Sequence, residues 1–385
     1  MKEKIKKIIK RISLRLWRWR VYKGYRRQYK DFLAKNQYEN TKLEGEDQYI
    51  QLWKQLSPRV EPYSYRFYSH YMDKPLLKYV IPEDICRTII EYYLNPSRYK
   101  DFYSDKNTYK RYISKQECLP RTLLCRINGS NLLNEKFEKA SVDFLSDAQT
   151  IHSYMKDYQR VVLKPSVDSE SGRNVLLLTS DGTVFKDSSG ATIGGQYLKT
   201  FGNDFVVQEA LTQHPYLAQF NESSVNTLRL FTYRSVVTEE VSVNGALIRI
   251  GGKGNFVDNA HAGGRFVGID VKTGILQKKT LDQYGTVQNI WNDIDFSTSE
   301  FQIPYWDKVC EFAKYVSSQI RHCRIIQLDI TIDNQNNPRL IELNIGSFSL
   351  WLFMMTNQTI FGDEMQSVID YCKVSLEEDK NKGLV

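Results

Sequence analysis

The sequence has no apolar run approaching the roughly 20 residues that a membrane-spanning helix needs. Charges also interrupt its N-terminal apolar stretch, so the unbroken core of a secretory signal is missing. These absences argue against an integral membrane protein and against a secreted enzyme. Cysteine is scarce: there are six, none in a C-x-x-C pair and none at zinc-template spacing. Several sit in apolar runs, as Cys310 does between Val309 and Phe312, which reads as free buried thiols in a reducing cytosol. The five histidines contain no H-x-x-x-H pair, which speaks against a histidine metal site. G-x-x-x-x-G-K-[ST] is missing as well, so there is no P-loop. No internal repeat or low-complexity tract is present.

What remains is a chain of 385 residues, 41% hydrophobic and 25% charged, enough for two to three structural units with a real core. Its 25 Tyr and 18 Phe point to aromatic packing or to contacts with planar ligands. The net charge is +8, but it is unevenly spread. Residues 1–30 hold 13 Lys/Arg against one acidic residue, Glu3, for a net of +12, so the rest of the chain carries the difference, −4. A nucleic-acid-binding fold would spread its basic face over the folded body. Here the basic character is one segment, and no nucleic-acid partner is expected.

That segment is patterned. Ile5, Ile8, Ile9, Ile12, Leu16 and Trp19 follow helical spacing along one face, and Lys2, Lys4, Lys6, Lys7, Lys10, Arg11, Arg15 and Arg18 fill most of the remainder. Trp17 and Trp19 suit a headgroup zone. One reading is a helix lying on an anionic cytoplasmic leaflet, which places the protein in the cytoplasm, peripheral to the inner face of the membrane. The other is a first helix packed on the core with a solvated basic exterior, or one bound to a partner protein.

Four regions follow: a basic amphipathic helix (1–30), a helical and Tyr-rich region (31–100), a core (101–375) and a tail (376–385). Residues 58–80, dense in Tyr and Pro, read as irregular. Pro82-Glu83-Asp84 opens a helix. Beyond about residue 100 strands alternate with helices. Strands are expected at Thr122–Ile127, Val161–Lys164, Asn174–Leu178, Phe205–Glu209, Thr227–Tyr233, Val241–Ile250, Val267–Val271, Ile325–Ile332 and Pro338–Leu343. Helices are expected at Asn107–Ser114, Asp147–Lys156, Gly194–Phe201, Pro304–Ile320 and Asp363–Val374. Hairpins mixed with helices give an α+β class.

The sharpest chemical signal lies between Gln327 and Asn344. Two apolar strands flank the polar turn Asp333-Asn334-Gln335-Asn336-Asn337, a hairpin pattern. Glu342 and Asn344, two apart, share one face of their strand, and Asp329 lies on the paired strand. Three oxygen donors on one face suit Mg²⁺ bridging phosphates; read alone, they also fit the exposed face of an edge hairpin. Upstream, an apolar strand ends on Lys164 and runs into the loop Ser166–Asn174, where small residues let backbone N–H groups approach phosphates. Further on come the strand Phe205–Glu209, then Asn226-Thr227-Leu228-Arg229, then the glycine-rich loop after Arg249 that contains Asn259 and His261.

Taken in order, these pieces resemble the ATP-grasp superfamily. Within it they are most similar to the sugar-transfer-associated ATP-grasp proteins of bacterial envelope polysaccharide clusters. Asp105-Lys106-Asn107, Leu119-Pro120 and Thr122 look like the start of that core. The resemblance spans about residues 100–375. It implies two α+β subdomains gripping ATP, preceded here by the basic helical region. It makes Lys106 and Lys164 the phosphate lysines and puts Ser169, Ser171 and Gly172 in the phosphate-covering loop. Gln208, Glu209 and Leu211 become the hinge that meets adenine. Asp329, Glu342 and Asn344 become the holders of two Mg²⁺ ions. Arg229, Arg249 and Asn259 become the groups that steady the γ-phosphate or an acyl phosphate. The phosphate loop departs from the pattern: only Gly172 is glycine, and Glu170 adds a like charge.

The implied chemistry is ATP-dependent carboxylate–amine ligation through an acyl phosphate. Its partners would be a small or sugar-linked carboxylate and an amine, in envelope or capsular polysaccharide biosynthesis. A sugar phosphotransferase on the same fold is the alternative within enzymes. A catalytically silent nucleotide-binding assembly protein is the alternative outside them.

Overall fold

Alternation sets the first layer. In β2 (Arg160–Pro165), Val161 and Leu163 are fully buried on one face, while Val162 and Lys164 turn to the opposite face. The computed structural model describes residues 2–167, 174–256, 258, 260 and 263–383. β2 is the centre of a five-stranded antiparallel sheet. With β1 (Thr122–Arg126), β3 (Leu176–Ser180), β4 (Phe185–Lys186) and β5 (Phe205–Glu209), the order is β1-β5-β2-β3-β4. Leu124, Val161, Leu163, Leu178, Phe205 and Val207 pack against Ile151 and Leu198 of the helices Ala148–Tyr154 and Gly195–Phe201. The other face, with Val162, Lys164 and Gln208, is left for the cavity.

The second sheet has seven strands in the order β10-β9-β8-β7-β6-β13-β14. They are β6 (Thr227–Arg234), β7 (Val241–Ile250), β8 (Arg265–Gly268), β9 (Thr280–Leu281), β10 (Val287–Gln288), β13 (Ile325–Ile332) and β14 (Pro338–Asn344). A small hairpin, β11 (Ile290–Trp291) with β12 (Ile294–Asp295), stands apart. Every residue of β13 is buried, so both its faces are covered. Its even-numbered side chains, Ile326, Leu328, Ile330 and Ile332, pack on Val309, Phe312, Ala313 and Val316 of the helix Trp306–Gln319. Its odd-numbered face splits. Near Ile325 it is roofed by the C-terminal helices and the N-terminal region; near Asp329 it opens on the cavity. The roof sits close: a Cβ on Gly245 would lie 2.6 Å from the ring of Phe353, so this strand position accepts only glycine without rearrangement.

The N-terminal region is a working part of this roof. α1 (Lys2–Lys35) is one continuous helix. Its second half buries Tyr29 and Leu33 in the same core as Phe231, Leu247 and Phe353, with α2 (Glu46–Lys54) and α3 (Tyr63–Tyr68) beside it. The Tyr29 and Tyr68 hydroxyls meet at 2.6 Å. The Tyr-rich stretch expected to be irregular is thus α3 plus a 3₁₀ turn, Lys74–Tyr79, organised around buried Tyr65, Tyr68 and Tyr71. The first half of α1 leaves Ile5, Ile8, Ile9, Ile12, Leu16 and Trp19 exposed. Among the described residues no helix is long and apolar enough to cross a membrane.

Several expected bounds move for local reasons. The expected helix Asn107–Ser114 is a 3₁₀ turn, Lys106–Thr108, then Tyr109–Tyr112. The Asp105 carboxylate accepts the Asn107 N–H at 2.9 Å and caps the start of this turn. β3 begins at Leu176 because Asn174 takes a left-handed φ of 57°. β8 ends at Gly268 because Asp270 opens a turn, accepting the N–H groups of Lys272 and Thr273.

Candidate active site

A cavity of about 660 Å³ lies between the two sheets. Its centre is built by strand register. Glu342 on β14 pairs with Asp329 on β13, which pairs with Arg229 on β6, so three charged groups stand in a row on one face. Arg229 grips Asp329 with two parallel bonds, Nε to Oδ1 at 2.8 Å and Nη2 to Oδ2 at 2.7 Å. Arg249 on β7 adds a second guanidinium 3.2 Å from Asp329 Oδ2 and 3.2 Å from Asp258 Oδ1. Burial alone would raise the Asp329 carboxyl, but the two arginines hold it below its ordinary range. Burial, with help from Asp329, pushes the Asp258 carboxyl up despite Arg249 and Thr227.

The lysines come from the other side. Lys106 Nζ bonds Glu342 Oε1 at 2.8 Å, and its backbone N–H bonds Ser166 O at 2.9 Å, tying the two sides of the cavity together. Lys164, at the end of β2, is 7% exposed and lowered to about 7, by burial first and then by Lys106, with Glu342 opposing. The cationic groups of both sheets therefore converge on the Glu342–Asp329 row. Apolar contacts from Val162, Leu211, Ile341 and Leu343 line the rest of this half.

These observations match one known group of proteins. The sugar-transfer associated ATP-grasp family matches residues 87–369. The chain belongs to that family. Its two sheets are the two halves of an ATP-grasp fold. Among solved structures it is similar to an ATP-grasp ligase PsnB complexed with minimal precursor, Mg and ADP, at 14% identity and a TM-score of 0.39, covering 73% of this chain and 62% of that one. It is similar to biotin carboxylase from Campylobacter jejuni, at 11% identity and a TM-score of 0.41, covering 73% and 48%. It is also similar to an N5-carboxyaminoimidazole ribonucleotide synthetase in its ADP complex, at 11% identity and a TM-score of 0.35, covering 64% and 46%. The chain thus spans about half to three-fifths of the length of these proteins. No curated protein matches the sequence.

One cavity gathers most of the residues expected from sequence. Lys106, Lys164, Gln208, Glu209, Leu211, Arg229, Arg249, Asp329, Glu342 and Asn344 all line the one cavity. Ser169, Ser171, Gly172 and Asn259 lie outside the described residues. Two side chains are engaged differently from expectation. Asp329, expected as a metal ligand, has both oxygens bound by arginine. Glu209 is braced by Arg339 and accepts the Arg121 N–H at 3.1 Å, so its carboxylate fastens β5 to β14 and the start of β1. The Glu209 and Ala210 N–H groups are also bound, to Arg121 O and Arg160 O. Sequence reasoning did not single out Asp258, nor the far end of the cavity, which Arg87, Lys100, Ser347, Ser349 and Trp351 line. The run Gly346-Ser347-Phe348-Ser349 directly after Asn344 was the available signal for the latter.

Among the described residues no three His, Cys, Asp or Glu side chains form a metal cluster. The donor set still fits Mg²⁺. Glu342 and Asn344 offer hard oxygens to the cavity. The Asn344 Nδ2 is buried with no partner, which is where a turned carboxamide presents oxygen to a cation. Asp329 joins that set only by giving up Arg229.

Proposed function

We propose that this protein is an ATP- and Mg²⁺-dependent ligase that joins a carboxylate to an amine through an acyl phosphate. Its substrate is a sugar or amino-acid substituent in envelope or capsular polysaccharide biosynthesis. What carries the reading is the convergence of Lys106, Lys164, Arg229 and Arg249 on the Glu342–Asp329 row inside one cavity. Family membership supports it.

The chemistry needs this charge arrangement. A carboxylate oxygen attacks the γ-phosphorus of ATP, the bond to the β,γ-bridging oxygen breaks, and ADP leaves. Two anions must approach, so Lys106 and Lys164 screen the phosphates while Arg229 and Arg249 stand across the row. The amine nitrogen then attacks the acyl carbon, the carbon–oxygen bond to phosphate breaks, and the nitrogen loses a proton to water or to a nearby base. Mg²⁺, when bound by Glu342 and Asn344, neutralises developing charge on the phosphate oxygens. Arg229 is poised to act: its present partner, Asp329, is the group a phosphate would replace. ADP release is to be measured with a panel of uronic acids and amines, with product mass read alongside. An amide supports the reading. A phosphate adduct replaces it with phosphotransfer, and ATP binding without turnover across the panel replaces it with a silent module.

The first half of α1 supports a second part of the proposal, attachment to an anionic bilayer from the cytoplasmic side. At about 100° per residue, the exposed stripe from Ile5 to Trp19 points about 120° away from the stripe of Tyr25, Tyr29 and Leu33 that docks on the body. The stripe is therefore not the face that packs on the protein. Basic residues flank it, and Trp17 and Trp19 are exposed at its inner end. Co-sedimentation with anionic vesicles is expected for the full chain and not after deletion of residues 1–20. Equal binding by both forms refutes it.

A further inference from the structure

The ATP-grasp cavity does not stop at the nucleotide half. Past Asn344 it continues to an end walled by the N-terminal region, where Arg87 and Lys100 face Ser347, Ser349 and Trp351. Arg87 stands in a π-wound stretch, Cys86–Ile90, in a run that is α-helical on either side. π-winding adds a residue to the turn and re-aims the side chains, and it clusters at functional sites. Here Cys86, Thr88, Ile89 and Ile90 are buried, and Arg87 is the one that emerges, into the cavity.

Arg87 makes no close ion pair there, although the buried Glu83 carboxyl feels its charge. Among the described residues no carboxylate lies within 4.0 Å of the Arg87 guanidinium, and the hydroxyl of Tyr25 is a hydrogen-bond partner. Lys100, by contrast, is held by Glu91, whose carboxylate also accepts the Ser347 N–H at 3.0 and 3.1 Å. That brace fixes the floor of the site. A Cβ on Gly346 would fall 2.6 Å from Lys100 Nζ, so a larger residue here would push the Lys100 side chain aside. Ser347 takes a left-handed φ of 57°, a conformation that surrounding contacts must hold. The Trp351 backbone N–H donates to Glu83 Oε1 at 2.9 Å, and Trp351, half-buried, lines the same end of the cavity as Ser347 and Ser349.

We infer that this end is the acceptor subsite and takes an acidic sugar, with Arg87 binding an oxyanion, Trp351 covering a ring face and Ser347 and Ser349 meeting hydroxyls. The inference rests on the ligase reading of the same cavity. An arginine with no ion-pair partner among the described residues, on the same cavity wall as an amphipathic indole and two serines, matches a ligand that is planar-faced, hydroxylated and anionic at one edge. A carboxylate and a phosphate ester share that oxyanion chemistry.

The test reads binding, not turnover, so that it stands apart from ligation. The full-length protein is loaded with a non-hydrolysable ATP analogue and titrated calorimetrically with glucuronate, glucose 1-phosphate and glucose. Wild type is expected to bind one or both anionic sugars and to discriminate against glucose. Preference between the two anionic arms identifies the oxyanion. Arg87→Gln is expected to lose on the order of 10–100-fold in anionic-sugar affinity. Its affinity for the ATP analogue should stay within about twofold, which also shows that the fold is intact. Trp351→Phe should retain sugar binding that Trp351→Ala loses. Equal anionic-sugar binding by wild type and Arg87→Gln overturns the inference. So does equal binding of glucose, or no sugar binding by a wild type that binds the nucleotide. Failure of ligation alone, with these affinities as expected, overturns the ligase reading and leaves the subsite.

Discussion

Lys164 is expected to couple nucleotide binding to proton uptake. Without a ligand its ammonium is held down to about 7 by burial and by Lys106, with Glu342 giving partial relief. It is then about half charged at pH 7 and about one-tenth charged at pH 8. A triphosphate in the cavity supplies the missing counter-charge and restores the proton. Binding should therefore take up about 0.5 proton at pH 7 and about 0.9 at pH 8, and affinity should fall about fivefold between them. The terminal phosphate of ATP is ionised throughout the upper part of this range, so its own titration fades as the lysine signal grows. Titration calorimetry at both pH values, in two buffers of different ionisation enthalpy, reads the uptake directly. Lys164→Met keeps an apolar stem and removes the titrating group. Uptake that fails to grow with pH, or that survives in Lys164→Met, refutes the argument.

Three further outcomes are expected. Glu342→Gln should lower ADP release on the order of 10²–10³-fold while the melting temperature stays near wild type, because its carboxylate is partly exposed and serves the cavity. Asp329→Asn should behave in the opposite sense, losing about 3–5 kcal/mol in urea unfolding, since it removes the carboxylate that buried Arg229 grips and leaves Arg249 with Asp258 alone. Glu83 is buried, with its carboxyl raised to about 7, so its stabilising share is complete below pH 4.5 and lost as pH rises through 7. Glu83→Gln should then be more stable than wild type at pH 8, with the gain shrinking toward pH 5 in paired thermal melts.

The elements that chemistry uses are largely legible in the chain because their determinants are local. The hairpin from Gln327 to Asn344 is set by alternation and an Asn-rich turn, and the register puts Asp329 opposite Glu342. β5, β7 and β13 begin and end where the apolar pattern does. What escapes is non-local. Arg229 and Asp329 are 100 residues apart, and only the pairing of β6 with β13 makes them partners. Nothing near Arg339 in sequence announces that it reaches Glu209. Arg87 belongs to a segment that reads as an ordinary helix start, and its role depends on that segment sharing one core with α1, the C-terminal helices and the sheet.

The length of α1 has a mechanical meaning. A 34-residue helix is about 50 Å long, and roughly its second half is bolted to the body. The outboard part therefore acts as an outrigger whose angle to the hull is written in residue count. If the greasy edge floats on lipid, the mouth of the cavity is held at one height and tilt. Adding a single residue between Trp19 and Tyr22 would swing that edge by about 100°, keeping every side chain yet pointing the keel elsewhere.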